Sequence, residues 1–276
     1  MSLSVILSTY NSPSLLRKVL CGYSVQTYRP FDIVIADDGS TDETRRLVDT
    51  LRRELDLEIR HVWQEDDGFR KCAILNKAIQ ATTADYLVFS DGDCVPRSDF
   101  LAVHVAMRKP RHFLSGGYFK LPRSVSEVLS CEDVLAGRAT DTARLRDHGL
   151  SWSWRHMRLH AGPRLGRLLD LVTPTRATWN GHNASGWRED ILRVNGFDER
   201  MRYGGEDREL GERLMNLGIR ARQIRHRAIC VHLWHERGYV RDEDLQTNRA
   251  IRRETALHRA QYTPYGIVKR PAQENA

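Results

Sequence analysis

The stretch Tyr86-Leu87-Val88-Phe89-Ser90-Asp91-Gly92-Asp93 decides how this chain is read. A short run of apolar and aromatic residues leads straight into two carboxylates separated by one glycine. Such a run suits a strand buried on both faces of a parallel sheet. A strand of that kind ends at the sheet's carboxyl edge, where open α/β folds place their ligands. Asp91 and Asp93 are therefore expected at a cleft, on a turn that Gly92 keeps open. Neighbouring carboxylates raise each other's pKa unless a cation lies between them. A divalent ion carrying phosphates would supply that cation. An isolated Asp-Gly-Asp triplet suits a surface turn equally well, so the surrounding sequence has to decide.

Working outward, strand and helix signals alternate through the first hundred residues. Residues 4–8 read as a strand, and Pro13 opens a helix with Leu15, Leu16, Val19 and Leu20 on its apolar face. Residues 31–36 form the next strand, running into Asp37-Asp38-Gly39-Ser40, with Ser40 or Thr41 as cap of the following helix. A third strand over 57–63 and a helix over 71–81 come next, then the strand at 86–90 and a helix capped by Ser98 or Asp99. Four strand–helix units in a row require a parallel sheet with right-handed crossovers. The turns Ser8-Thr9-Tyr10-Asn11, Asp37-Asp38 and Asp91-Gly92-Asp93 then share one edge. A further strand is expected over 113–119. Residues 122–178 look helical and irregular, and the alternation resumes with a strand or loop at 179–185 and helices at 188–194 and 206–217. Short strands follow near 220–224 and 228–233, then a charged helix from 242 to about 259 and a frayed tail at 271–276.

The composition is that of an ordinary folded chain: 276 residues, 41% hydrophobic and 29% charged. No apolar run approaches the ~20 residues needed to span a bilayer. The first residues lack the basic and long apolar regions of a signal peptide and read as the first strand. The five cysteines are scattered and odd in number, which leads us to expect reduced thiols and a cytoplasmic setting. A net charge of +7 admits phosphorylated ligands, an anionic membrane or nucleic acid as partners. From Gly149 to Leu169 there is no carboxylate, while Trp152, Trp154, Arg155, Arg158, Arg164 and Arg167 interleave. That pattern suits either an anionic membrane surface, a phosphorylated acceptor, or a solvated basic face.

Several constellations could carry chemistry. Ser8, Thr9, Tyr10 and Asn11 are small or polar groups that can approach a flat base or a ribose. Asp37 and Asp38 can accept from a base N–H or a ribose hydroxyl, or serve only as a helix cap. Gly68, Arg70 and Asn76 belong to a loop and helix start suited to an anion. Glu206 and Asp207 follow Gly204-Gly205 and open a helix whose N-terminus favours negative charge. Cys230-Val231-His232-Leu233-Trp234-His235 closes the series. A zinc site from Cys230, His232 and His235 would lack a fourth ligand nearby.

This order of motifs resembles the family 2 glycosyltransferases, which have the GT-A fold and use nucleotide-diphospho-sugars. The second half, with Trp179-Asn180-Gly181-His182-Asn183, Asn195-Gly196-Phe197-Asp198-Glu199 and Gly204-Gly205-Glu206-Asp207, is similar to the galactosyltransferase-like branch. That branch includes the bacterial chondroitin polymerase domains. The resemblance covers roughly residues 3–119 and 178–236. It implies an α/β, mostly parallel sheet flanked by helices with a helical insertion. The expected layout is a single domain over 1–276, with a nucleotide-sugar-binding half (1–119), an insertion (120–178), an acceptor and catalytic half (179–241), and a C-terminal helix and tail (242–276).

The resemblance also implies roles. Ser8 and Asp38, with Asp37 nearby, hold a uracil. Thr9, Tyr10, Asn11, Gly68, Arg70, Asn76, Asp91 and Gly92 complete the donor side. Asp93 and His232 bind Mn2+ or Mg2+, with Asp91 as a further metal candidate and His235 either a rival ligand or a neighbour of the diphosphate and acceptor. Trp179, His182, Asn183, Glu206 and His235 face the acceptor, and Asp207 is the general base, assisted by Glu206. The implied activity is inverting transfer from a UDP-sugar to a glycan or lipid-linked glycan, in the synthesis of a surface polysaccharide or lipopolysaccharide. The expected location is cytoplasmic, with peripheral contact to the inner face of the membrane. The segment 122–178 matches no motif and is expected to set acceptor specificity. Two other classes fit the sequence less well. A sugar-nucleotide nucleotidyltransferase would need a Gly-rich basic loop after the first strand. A non-enzymatic nucleic-acid or membrane binder is disfavoured because acidic turns repel phosphate without a metal; no nucleic-acid partner is expected.

Overall fold

The computed structural model describes residues 1–153, 156–236 and 240–269. Trp154 and Arg155 of the basic stretch and the expected tail at 271–276 lie outside these residues.

A seven-stranded sheet runs in the order β3-β2-β1-β4-β8-β6-β9, its last three members spanning Ala184–Trp187 (β8), His112–Ser115 (β6) and Arg220–Gln223 (β9). Its first four strands, β1 (Leu3–Thr9), β2 (Asp32–Asp37), β3 (Ile59–Trp63) and β4 (Tyr86–Asp91), are mutually parallel. The side chains alternate between two apolar layers, as the strand pleat demands. Val5, Leu7, Ile33, Ile35, Tyr86 and Val88 enter one layer. Ile6, Val34, Ala36, Leu87 and Phe89 enter the other. The crossover helices α1 (Pro13–Ser24), α2 (Asp42–Glu54) and α3 (Lys71–Gln80) cover these layers. In α2 the buried set Thr44, Leu47, Val48 and Leu51 follows the helical repeat. No described helix is long and apolar enough to cross a membrane.

Three details differ from the sequence reading. Neither Thr41 nor Asp99, the N-cap positions of α2 and of α4 (Phe100–Met107), makes a side-chain cap bond. Thr41 N instead donates to Asn11 Oδ1, and Asp99 pairs with Arg97. The single strand expected over 113–119 is two, β6 (His112–Ser115) and β7 (Phe119–Lys120). They part at Gly116, where a Cβ would overlap the Asn183 side chain at about 2.1 Å. The chain leaves the large sheet there and enters a second one. The polar stretch after Trp179 becomes β8 (Ala184–Trp187), antiparallel to both β4 and β6, while β9 (Arg220–Gln223) is parallel to β6.

The second sheet has the order β5-β10-β7, with β5 (Cys94–Pro96) antiparallel to β10 (Cys230–His232). Two residues, Gly92 and Asp93, separate the end of β4 from the start of β5, so Asp91 closes a strand of the large sheet and Asp93 introduces a strand of the small one. The 122–178 region is a set of short helices, as its sequence suggests: α5 (Arg123–Val128), α6 (Cys131–Leu135), α7 (Thr142–Asp147), α8 (Met157–His160) and α9 (Pro163–Val172). α10 (Arg188–Arg193), α11 (Glu206–Asn216) and α12 (Asp242–Leu257) complete the fold.

Candidate active site

The parallel register puts Ser8 beside Asp91 on one side and beside Ala36 on the other, so three strand ends meet at one edge. Gly92 has its amide on Ser8 O at 2.7 Å, and a Cβ there would sit 3.0 Å from the same oxygen. The glycine thus lets the Asp91–Asp93 turn close against β1, rather than holding it open. Gly39 has a φ of 95° and lies against the Asp66 backbone, which draws the 64–70 loop over the second turn. These edges, the start of α11 and the small sheet together enclose a cleft of about 1370 Å³.

On its donor-like side, Asp38 lines the cleft and accepts from Gln64 Nε2 at 2.6 Å and Arg70 N at 2.9 Å. Burial pushes its carboxyl up to about 6, against the lowering effect of those two bonds. Thr9 Oγ1 and Gln64 Oε1 are buried with no hydrogen-bond partner among the described residues. Tyr10 lies at the rim with its hydroxyl on Asp66. Ser8 Oγ donates to Asp91 Oδ1 at 2.6 Å, and Gly68 also lines the cleft.

Asp91 has a partner the sequence reading overlooked. Lys71 Nζ, from the first residue of α3, meets its Oδ1 at 2.7 Å. Burial alone would raise the Asp91 carboxyl, but Lys71 and Ser8 outweigh it and hold the group well below the usual carboxylate range. Burial would lower Lys71, yet Asp91, then Asp207 and Glu206, keep its ammonium charged. The sequence marks the helix start after Arg70 as suited to an anion. The anion there is the protein's own Asp91, and that pairing links residues 20 apart in sequence.

Asp93 faces a different environment. Its Oδ2 lies 3.7 Å from His232 Nε2 and 3.0 Å from His235 Nε2, and the two rings stack with centroids 5.4 Å apart. Asp93, Cys94 and His232 can bring ligand atoms within 4.8 Å of one another. Cys94 Sγ is buried against Asp93 Oδ1 at 3.2 Å as a hydrogen-bond donor. A carboxylate and imidazoles converging from β5, β10 and the segment after β10 fit a divalent ion of the Mn2+ class. Asp91 is not part of this cluster among the described residues, and its carboxylate is paired with Lys71. Cys230 does not join either: its thiol bonds to Gly117 O.

At the opposite wall, Gly204 and Gly205 have φ values of 109° and 98°, which only glycine adopts easily, and they turn the chain into α11. Glu206 and Asp207 follow. Glu206 Oε2 accepts from Gly204 N at 2.8 Å. Burial, and then Asp207 beside it, push the Glu206 carboxyl up to about 7, with Lys71 opposing. Asp207 Oδ1 is buried and has no hydrogen-bond partner among the described residues. A Cβ on Gly181 would come within 2.7 Å of that oxygen, so Gly181 makes the room Asp207 occupies. His182 lines the same wall, edge-on to Tyr118 at 4.6 Å. Burial lowers its imidazole, against Asp91 and Asp207.

Five residues expected in the site support it from outside. Asp37 is fully buried, bound to Ser40 N and His61. Asn11 ties Thr41 and Ser40 together. Arg70 reaches Asp38 through its backbone, while its guanidinium pairs with Asp67 at the surface. Asn76 is buried and joined to Phe197 and Glu199. Asn183 bonds to Gly117 O, Ala228 O and His104. Trp179, expected at the acceptor, is a fully buried floor residue packed on Phe89 and Phe113. Sequence reasoning also missed Tyr118 and Gly181, whose roles depend on three-dimensional fit and leave no local pattern.

A parallel sheet with this acidic edge, a second small sheet and an acidic pair opening α11 define the GT-A class of glycosyltransferase fold. Residues 4–112 match the model for glycosyl transferase family 2, and residues 176–236 match that for the N-terminal domain of galactosyltransferase. It is 26% identical to the chondroitin synthase of Escherichia coli over 238 residues, 80% of this chain and 33% of that protein. It is 32% identical to validoxylamine A glucosyltransferase of Streptomyces hygroscopicus subsp. limoneus over 225 residues, 79% of this chain and 48% of that protein. The chain thus spans a third to a half of the length of these two relatives. Among solved structures, it resembles the mannosyltransferase PcManGT from Pyrobaculum calidifontis in complex with GDP-Man and Mn2+, with a TM-score of 0.60, 22% identity, and coverage of 95% of this chain and 66% of that one. TarS from S. aureus in complex with UDP-GlcNAc matches with a TM-score of 0.61, 17% identity, and coverage of 91% and 65%.

Proposed function

We propose that this chain transfers a sugar from a nucleotide-diphospho-sugar, UDP-linked, to a hydroxyl of a glycan or glycolipid acceptor, with inversion at the anomeric carbon. The observation that carries this reading is the meeting of three differently prepared carboxylates in one cleft: Asp38 at the donor end, Asp93 with its imidazoles, and Asp207 with an oxygen left unpaired. Asp38 and Thr9 would read the base and ribose. Asp93 and His232, with His235 beside them, would hold Mn2+ or Mg2+. When bound, that ion supplies positive charge to the departing diphosphate. Asp207 Oδ1 accepts the proton of the attacking hydroxyl, whose oxygen forms the new bond to the anomeric carbon opposite the breaking bond. The bond electrons leave with the diphosphate. Glu206, largely protonated up to about pH 7, keeps a second full charge away from Asp207.

The GDP-Man and UDP-GlcNAc complexes of the structural neighbours support a nucleotide-sugar donor in general, and the order of motifs supports UDP in particular. Synthesis of a surface polysaccharide or lipopolysaccharide on the cytoplasmic side belongs to the same proposal. A nucleotidyltransferase is a poorer reading, because the turn after β1 has neither the glycines nor the basic groups of a phosphate loop.

The test is a screen of UDP-sugars for slow hydrolysis that requires a divalent ion, followed by Asp207→Asn. That variant should bind donor normally in calorimetry and lose turnover by roughly 10²–10⁴-fold. Full activity in Asp207→Asn would remove it as the base, and failure of every nucleotide-sugar to bind with Mn2+ would sink the reading as a whole.

A further inference from the structure

One helix of the insertion presents its apolar side to solvent. In α9, Leu165, Leu168, Leu171 and Val172 are 43%, 56%, 75% and 63% exposed. At 100° per residue these four fall within one sector of the helix. The opposite side is fastened down. Asp170 accepts from His226 N at 2.9 Å and pairs with Arg227 at 2.6 Å, Thr173 meets His226 at 3.0 Å, and a Cβ on Gly166 would lie 2.7 Å from His226 O. The exposed stripe is therefore held outward by a fixed inner face.

Its charge is one-sided. Residues 148–178 contain five arginines and one carboxylate, and that carboxylate is Asp170, already neutralised by Arg227. Arg164 and Arg167 are exposed on α9 itself. An apolar stripe flanked only by arginines suits an interface that is oily below and negatively charged above, which is the profile of an anionic bilayer surface. An ordinary solvated helix would carry polar groups in place of these four side chains.

We propose that the outward face of α9 docks this chain on an anionic lipid bilayer, with the leucines seated at the headgroup boundary and Arg164 and Arg167 on lipid phosphates. The role of that docking rests on the glycosyl-transfer reading. Ser153, His156 and Arg158 line the cleft, and Arg158 stands five positions before Pro163, the first residue of α9, a reach of at most about 17 Å. Docking would hold the cleft rim close to the lipid surface, where a lipid-linked acceptor presents its sugar.

The experiment is cosedimentation of the full chain with phosphatidylcholine vesicles, with and without roughly 30% phosphatidylglycerol, at about 0.1 M salt. The chain should bind only the anionic vesicles. Leu168→Glu/Leu171→Glu should weaken binding at least about tenfold, and Arg164→Glu/Arg167→Glu should weaken it and remove its salt dependence. Unchanged melting temperature and donor affinity in both variants would show that fold and cleft are intact. Equal binding to neutral vesicles, no binding to either, or full binding by the leucine variant overturns the proposal. So does a dimer in sedimentation velocity that the leucine variant abolishes, which would assign the stripe to a second copy. Vesicle binding is read without donor or acceptor, so its failure and a failure of sugar transfer are separate results.

Discussion

Asp91 and Asp93 are one glycine apart, yet they belong to different sheets and different chemistry. Asp91 ends a strand of the seven-stranded sheet and is held by Lys71 and Ser8, with about a fifth of its side chain exposed. Asp93 introduces the three-stranded sheet and faces His232 and His235. A carboxylate with a cation already beside it contributes to the fold, whereas one facing imidazoles has lone pairs to offer a ligand. Proximity in sequence therefore says little about shared function; the partner that reaches each group decides.

The comparison can be broken most forcefully from the lysine. Lys71→Met leaves Asp91 without its cation and should destabilise the chain by roughly 2–4 kcal/mol, the lower range for a pair that is not wholly buried. Adding Asp91→Asn should recover most of that loss in a denaturant melt. If Lys71→Met is neutral, Asp91 is not the structural half of the pair.

Asp93→Ala should do the reverse. Its melting temperature should hold, while donor affinity in the presence of Mn2+ falls on the order of 100-fold in calorimetry, about 2.7 kcal/mol. Unchanged affinity, or a collapse of the fold, would erase the contrast with Asp91.

A third carboxylate sharpens it. Burial raises Glu206 from 4.5 to about 7, so its protonated form is favoured in the folded chain. Its contribution to stability is complete below about pH 4.5 and is lost as pH rises through 7. Wild type should lose on the order of 1–3 kcal/mol across that window relative to Glu206→Gln, read as melting temperature against pH. Parallel curves would mean that Glu206 is ionised throughout.

The smallest effect concerns Asp38. A donor N–H needs the ionised carboxylate, which burial raises to about 6. Donor affinity should fall about tenfold for each pH unit below 6, and Asp38→Asn should remove that dependence. An identical pH profile in the variant would take Asp38 out of base recognition.

Much of the sheet edge was legible because its residues announce themselves locally. Strand runs such as 86–90 and the Asp-rich turns behind them follow from period and turn chemistry, and Gly204-Gly205 before Glu206-Asp207 marked the start of α11 correctly. What was lost is whatever depends on which groups meet across the fold. Asp37 and Asn183 look as polar as Asp38 and His182 in sequence, but register turns the first pair inward onto protein partners. Lys71 looked like a surface anion site for the same reason. The division of 113–119 into two strands falls at Gly116, whose bare Cα leaves room for the Asn183 side chain, 67 residues away in sequence and invisible to any local pattern.

Asn76 has a practical consequence for anyone who would recombine these enzymes. Its amide accepts from Phe197 N and donates to Phe197 O and Glu199, so the helix that begins at Lys71 is keyed directly to the segment leading into Gly204. The parts of the chain before and after the insertion are thus not interchangeable cassettes. A chimera joining this chain's first half to a related protein's second half would work only if the graft restored the same three-point fit around residue 76.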